Sequence, residues 1–331
     1  MTGAGLSRRS LTAAAAVALS GAMPGRVSAA PRRLGALLYD GAASWAFLER
    51  ELAEALAELG WLEGRTIQSR WRYADGDAAR LPALAQALVA EGADVLLARG
   101  TPSTRALQQA TRTLPIVTGI GDPVGAGFAR SLSAPGGNVT GLSYAAPETA
   151  TKQLELLREL APAARRLLLV LAADRAPYAD EITEPARRAA LRLGLQAQMV
   201  TATDAAQLRA TFAAARSTGG AVTTAALVYG LGQRIPPSDV AAAAIDARIA
   251  TVFEYRFYVD AGGLISYRFD WPDQARRTAA QIDKVLRGQP PATIPFELPT
   301  RSELVIHAGT AARLGLTLPR ALRVRADAVL D

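Results

Sequence analysis

Three short loops carry the side chains with most to offer a small molecule. The first, Arg99-Gly100-Thr101-Pro102-Ser103-Thr104, follows the apolar run Asp94 to Ala98 and leads into a helical pattern. Its glycine lets the backbone turn. The free N–H groups and positive dipole end of the helix suit a carboxylate, with Thr101 and Ser103 adding hydroxyl groups. The same two residues also suit an N-cap, and a cap can face a ligand. The second loop, Gly121-Asp122-Pro123-Val124-Gly125-Ala126-Gly127, follows the run Pro115 to Ile120. Asp122 there is either a fixed acceptor for an ammonium or hydroxyl group, or the start of an Asp-Pro turn. The third is Phe253-Glu254-Tyr255-Arg256-Phe257-Tyr258. Its rings can stack on a planar ligand, with Tyr255 among them, and Glu254 can pair with an amine. The alternative is an aromatic core seam, and Tyr229, at the end of another strand, faces the same choice.

Most catalytic chemistry lacks its residues. The only histidine is His307, and no G-x-S-x-G elbow accompanies it, so a Ser-His-Asp triad has one possible base. Phosphate-loop and H-E-x-x-H patterns are absent, and the loop glycines after Gly121 have the wrong spacing for a dinucleotide fingerprint. With no cysteine there is neither thiolate chemistry nor a disulfide. No catalytic residue, metal ligand or cofactor is assigned. Carboxylate-only catalysis, with Asp122 and Glu254 as acid and base, is the one enzymatic alternative that the residues allow.

The formal net charge of +7 comes with only two lysines, Lys152 and Lys284, and arginines scattered among carboxylates. No basic stripe interleaved with aromatics is visible, so nucleic acid is not an expected partner.

These loops need strands to hold them. From Arg33 onward, short apolar runs alternate with longer helical patterns, the signature of βα units. Expected strands are Leu34–Tyr39, Thr66–Tyr73, Asp94–Ala98, Pro115–Ile120 and Val139–Ser143, with helices over Ala46–Leu59, Ala78–Glu91 and Thr104–Thr111. The pattern then restarts. A helix over Pro147–Leu160 precedes strands Arg166–Ala172, Gln196–Thr201, Ala225–Tyr229 and Thr251–Phe253, and these alternate with helices Ala179–Leu193, Ala205–Ala215 and Ser238–Ala247. The class is α/β: two Rossmann-like lobes with parallel sheets and helices on both faces. Ligands bind such sheets beyond the carboxyl ends of the strands, so two facing lobes would share one cleft. The turn-rich segment Pro135-Gly136-Gly137-Asn138-Val139-Thr140-Gly141 reads as a passage between lobes.

Residues 1–30 read as an export signal. Ser7-Arg8-Arg9-Ser10-Leu11-Thr12 precedes the apolar run Ala13 to Leu19 and the small-residue stop Val27-Ser28-Ala29. Adjacent arginines before a weakly apolar segment resemble the twin-arginine signal, with cleavage after Ala29 or Ala30. The run is shorter than the ~20 residues a membrane span needs. The mature protein is expected in the periplasm.

The loops quoted above, together with Gly262-Gly263-Leu264-Ile265-Ser266-Tyr267 and Glu303-Leu304-Val305-Ile306, resemble the ABC-transporter substrate-binding proteins of the tryptophan or aromatic-amino-acid type over about residues 33 to 330. The resemblance implies a periplasmic-binding fold of type I with three hinge crossings, near Thr140–Tyr144, near Gly263–Tyr267 and within Pro290–Arg301. Lobe 1 would comprise 33–143 and 266–289, and lobe 2 would comprise 144–265 and 290–331. By similarity, Thr101 and Ser103 would hold a ligand carboxylate and Asp122 or Glu254 its ammonium. Tyr39 and Ser44 in the first loop, and Tyr144 and Tyr267 at the crossings, would be further contacts. The loop Ala173-Asp174-Arg175-Ala176-Pro177-Tyr178 departs from the family's Asp-Pro pattern. The implied protein is a monomeric receptor that closes on a small solute, an amino acid or related compound, and delivers it to an ABC permease and its ATPase. A ligand-sensing subunit of a membrane signalling system is a further alternative.

Overall fold

The computed structural model describes residues 30–331 apart from 232 and 233; the side chains of 43, 44, 176–178 and 181 also fall outside the described set. The export signal lies outside it except for Ala30. No described helix is long and apolar enough to cross a membrane.

Strands buried on both faces need apolar residues at nearly every position rather than at alternate ones. The first half supplies them: β3 (Val95–Arg99), β4 (Ile116–Ile120) and β5 (Val139–Ser143) are buried along their whole length. With β1 (Arg32–Leu38) and β2 (Ile67–Tyr73) they form a parallel sheet of order β2-β1-β3-β4-β5. Helices α1 (Ala42–Glu58), α2 (Leu81–Ala90) and α3 (Gly100–Ala110) connect the strands. Leu88, Leu96 and Leu107 share the core on one face, and Leu52, Leu97 and Val117 share it on the other.

The second half repeats the device. Its elements are α4 (Ala146–Leu160), β6 (Arg166–Ala172), α5 (Ala179–Arg192), β7 (Gln196–Ala202), α6 (Ala205–Ala214), β8 (Thr224–Tyr229), α7 (Pro237–Asp246), β9 (Ala250–Phe253), α8 (Arg256–Asp260) and β10 (Ile265–Phe269). After α9 (Trp271–Leu286) come β11 (Ser302–His307), α10 (Ala308–Arg313), α11 (Arg320–Arg325) and β12 (Ala328–Leu330). The sheet order is β12-β11-β10-β9-β8-β6-β7, parallel except where β11 runs against β10. Its faces are packed by Leu154, Leu169 and Leu227 on one side and by Val170, Phe212 and Phe253 on the other. Local chemistry fixes the entry of α6: Asp204 accepts from the Gln207 N–H at 2.9 Å while the Gln207 side chain accepts from the Thr203 N–H at 2.7 Å.

The chain passes between the two sheets three times. The first passage leaves β5 for α4. Gly141, at φ 143°, lies so close to β4 that a Cβ would collide with the Thr118 carbonyl oxygen, so this position requires glycine. The second passage follows β10, after which α9 returns to pack on α1 and β5. The third follows the segment at Glu297, which accepts from the Ser143 N–H at 2.9 Å and donates its own N–H to Gly141 at 3.0 Å. Arg277, Gln281 and Lys284 of α9 all hydrogen-bond the Glu297 carboxylate, tying this return to the helix. Burial opposes its charge, but the Arg277 and Lys284 hydrogen bonds prevail and hold it below the usual carboxylate range.

Several expectations shift. The second crossing falls after Phe269 rather than near Gly263–Tyr267, because β10 stays in the second sheet, paired to β9 at Ile265 and Ser266 and to β11 through Phe269. A lobe boundary at 265/266 would therefore cut a strand. Residues Ile294 and Phe296 are buried in first-sheet cores, so the stretch from 290 to 297 packs with lobe 1 rather than lobe 2. Helix α3 starts at Gly100 instead of Thr104, and α1 at Ala42 instead of Ala46. The aromatic stretch after β9 contains the short helix α8, with Tyr258 and Val259 buried.

Candidate functional site

Arg99 closes β3 and is the N-cap of α3, which places it at the carboxyl end of the first sheet. Its guanidinium carbon lies 5.2 Å from the Trp45 ring centre, 5.3 Å from Tyr144 and 4.4 Å from Trp271. The residue is 6% exposed, and no carboxylate or hydrogen-bond acceptor meets the guanidinium among the described residues. Burial lowers its proton affinity, with Arg268 adding to the effect. The rings offset part of this cost, each such contact contributing roughly 0.5–2 kcal/mol. At the start of α3, Ser103 is fully buried and its Oγ has no partner.

The second lobe contributes Arg268 from β10 and Glu254 from the turn after β9, joined by a short ion pair. The Arg268 guanidinium also lies 4.4 Å from the Phe269 ring centre, 5.1 Å from Tyr255, 5.5 Å from Tyr144 and 5.6 Å from Trp271. Tyr144 stacks on Phe269 at 4.5 Å, and Tyr255 on Trp271 at 5.8 Å, nearly parallel at 12°. Gly119 of β4 makes room for this arrangement, since a Cβ there would strike the Tyr144 hydroxyl. That hydroxyl is buried without a partner. Burial raises Tyr144, pushes Tyr255 up to about 12 and raises Tyr229 further, so all three are neutral phenols at ordinary pH. The wall is aromatic, and its charges are two guanidinium groups that share the Tyr144 and Trp271 rings, together with the Glu254 carboxylate paired to one of them.

Beside this cluster the lobes are clasped. Arg175, after β6, donates twice to Asp40, after β1, at 2.7 and 2.8 Å. The Tyr39 hydroxyl sits between the Gly76 carbonyl, 2.8 Å away in the first lobe, and the Asp174 carbonyl, 2.7 Å away in the second. Arg234 meets the Asp174 carboxylate at 3.1 Å. For Arg175, burial opposes the charge, but Asp40, Tyr255 and Glu254 outweigh it and raise its proton affinity.

The residues expected from sequence divide accordingly. Tyr144, Glu254 and Tyr255 meet in the aromatic cluster; Thr101 and Ser103 lie in the first turn of α3, next to Arg99. Tyr229 is buried at the end of β8, where the charges of Glu254 and Arg268 reach it. Tyr39 belongs to the clasp. The Ser44 side chain lies outside the described residues. Asp122 accepts from the N–H groups of Val124 and Gly125 at 3.1 and 2.8 Å, which is the turn role. Tyr267 packs on the second-lobe core, because alternation along β10 sends its neighbour Arg268 to the other face. Sequence reasoning missed Arg99, Arg268, Trp45, Trp271 and the Asp40–Arg175 pair. The signal available was position: Asp40, Arg99 and Arg175 lie at or just beyond the ends of strands.

Two α/β lobes, linked by three passages and presenting side chains from both at the carboxyl ends of their strands, define a two-lobed solute-binding protein of the periplasmic type I fold. The chain belongs to the family described as ABC transporter substrate binding protein, whose model matches residues 47–330. A solved conserved domain protein from Vibrio cholerae is 26% identical, covering 90% of this chain and 99% of that one with a TM-score of 0.77. An ABC domain from Streptococcus pneumonia in complex with L-Trp is 24% identical, covering 91% of this chain and all of that one with a TM-score of 0.74. A tyrosine-binding protein of Clostridioides difficile is 36% identical over 116 residues, which is 34% of this chain and 33% of that protein's length.

Proposed function

We propose that this protein is the extracytoplasmic receptor of an ABC importer and binds a small aromatic solute, an amino acid or related compound, between its lobes. The observation that carries this reading is the cluster of Trp45, Arg99 and Tyr144 with Tyr255, Arg268 and Trp271, assembled from both lobes beside the Asp40–Arg175 clasp. A relative binding tyrosine and a similar fold holding L-Trp support an aromatic guest. The proposed lobes are 31–143 with 271–297 and 144–269 with 302–331. A hinge motion about the three passages would open and close them, and the solute favours closure by contacting both lobes better in that state. The permease and its ATPase are the proposed partners, reached after export by the twin-arginine signal and cleavage near Ala29. No reaction is proposed, because Glu254 is committed to Arg268 and Asp122 to its own turn. A thermal-shift screen against amino acids, aromatic acids, sugars and purines tests the reading. Stabilisation that grows with the concentration of an aromatic compound is expected. A shift produced only by sugars or purines would overturn it.

A further inference from the structure

The charges around the cleft do not cancel, and the residue left over says what the guest must bring. Glu254 is spent on Arg268, Asp40 on Arg175 by two hydrogen bonds, and Asp174 on Arg234. Asp174 keeps one unpartnered oxygen, but it belongs to the clasp, where its other oxygen takes Arg234 and its carbonyl takes the Tyr39 hydroxyl. Among the described residues around the cluster, Arg99 is the charge left without a partner: 94% buried and held by three rings. Behind it are the N-terminal turn of α3 and the unpartnered Ser103 hydroxyl, two further groups that favour an anion. A buried guanidinium without a counter-ion is costly to maintain, and an anionic guest is what would compensate it.

A zwitterionic amino acid satisfies this site poorly. Its carboxylate suits Arg99, but Glu254, the carboxylate that meets the rings, is already paired with Arg268, and the unpartnered Asp174 oxygen lies in the clasp rather than among the rings. Its ammonium would face two guanidinium groups, or it would take Glu254 and leave Arg268 unpaired in turn. We propose that the solute is an aromatic monocarboxylate without a protonated amine, its carboxylate held by Arg99 and the start of α3 and its ring stacked among Trp45, Tyr144 and Trp271. This rests on the cleft being the ligand site and narrows its guest to the anion. The planar guanidinium fork matches a carboxylate, and a single spare positive charge matches a single negative one.

The test is calorimetric titration of the purified full chain with indole-3-propanoate, L-tryptophan, tryptamine and inorganic phosphate. Indole-3-propanoate should bind at least tenfold more tightly than L-tryptophan, with tryptamine and phosphate silent. R99M should abolish indole-3-propanoate binding while the unliganded melting temperature holds or rises, because the variant removes an uncompensated buried charge and keeps a flexible apolar chain on the rings. R99K, which keeps the charge, should retain part of the affinity. L-tryptophan binding as tightly as indole-3-propanoate would overturn the inference and leave the receptor reading intact. R99M binding the acid unchanged would overturn it equally, as would phosphate competing with the acid at equal affinity. Failure of all four probes together with every aromatic compound in the screen would sink both readings.

Discussion

Arg99 and Arg268 occupy the same aromatic surroundings but differ in what answers their charge. Arg268 has Glu254; burial opposes its charge, yet Glu254, Tyr255 and Tyr144 outweigh this and raise its proton affinity. Arg99 has only ring faces, so burial prevails. Tyr255 reports on the same environment. Its pKa, pushed up from 10.0 to about 12 chiefly by burial, keeps it a neutral phenol where the unfolded chain would ionise. The folded state then binds more protons than the unfolded state between about pH 10 and 12, so stability must fall as pH rises through that window. Difference absorbance of wild type against Y255F should show one phenol ionising near 12. Ionisation of that phenol at 10 would mean that the ring is solvated and the cleft wall open. Much of this residue-level chemistry was hidden in the sequence. Aromatics after β9 advertised themselves by density, whereas Trp45 and Trp271 lie more than 200 residues apart and meet only because α9 returns from the second sheet to pack on α1. Arg99 was visible as the first residue of the ligand-type loop, but nothing local marks an arginine as unpaired.

At the scale of elements, strands were the most legible feature, since parallel strands buried on both faces write themselves as unbroken apolar runs. Val139–Ser143 and Arg166–Ala172 come out with the bounds that the apolar runs suggested. Helix starts were less visible where no side chain caps them: α1 and α3 begin at Gly41 and Arg99 N-caps that make no side-chain cap hydrogen bond. The second crossing, placed near Gly263–Tyr267 by the resemblance, falls later because pairing to β11 carries the strand on to Phe269. The loop after β6 lacked the family's pattern, and its Asp174 and Arg175 prove to be clasp residues. On the proposed reading the loop acts in closure. D40N removes the charge that Arg175 grips and should favour the open form. Affinity for the stabilising aromatic compound should drop about tenfold, or ~1.4 kcal/mol, measured by calorimetry, with the melting temperature of the unliganded protein changed far less than that of the complex. An unchanged affinity would show that the clasp does not bias closure.

For the whole molecule, three passages connect two separately packed sheets, and the cleft side chains come from both. Such a receptor works only if its lobes move relative to one another and the guest biases that motion. The chain contains no cysteine, so R65C and R216C, two exposed positions in different lobes, give a uniquely labelled pair for electron–electron distance measurement. The account predicts a broad or two-peaked distance distribution in the unliganded protein that collapses to one peak as the stabilising compound saturates it, with the midpoint at the calorimetric Kd. A compound that binds tightly while leaving that distribution unchanged would contradict hinge closure on a guest held between the lobes.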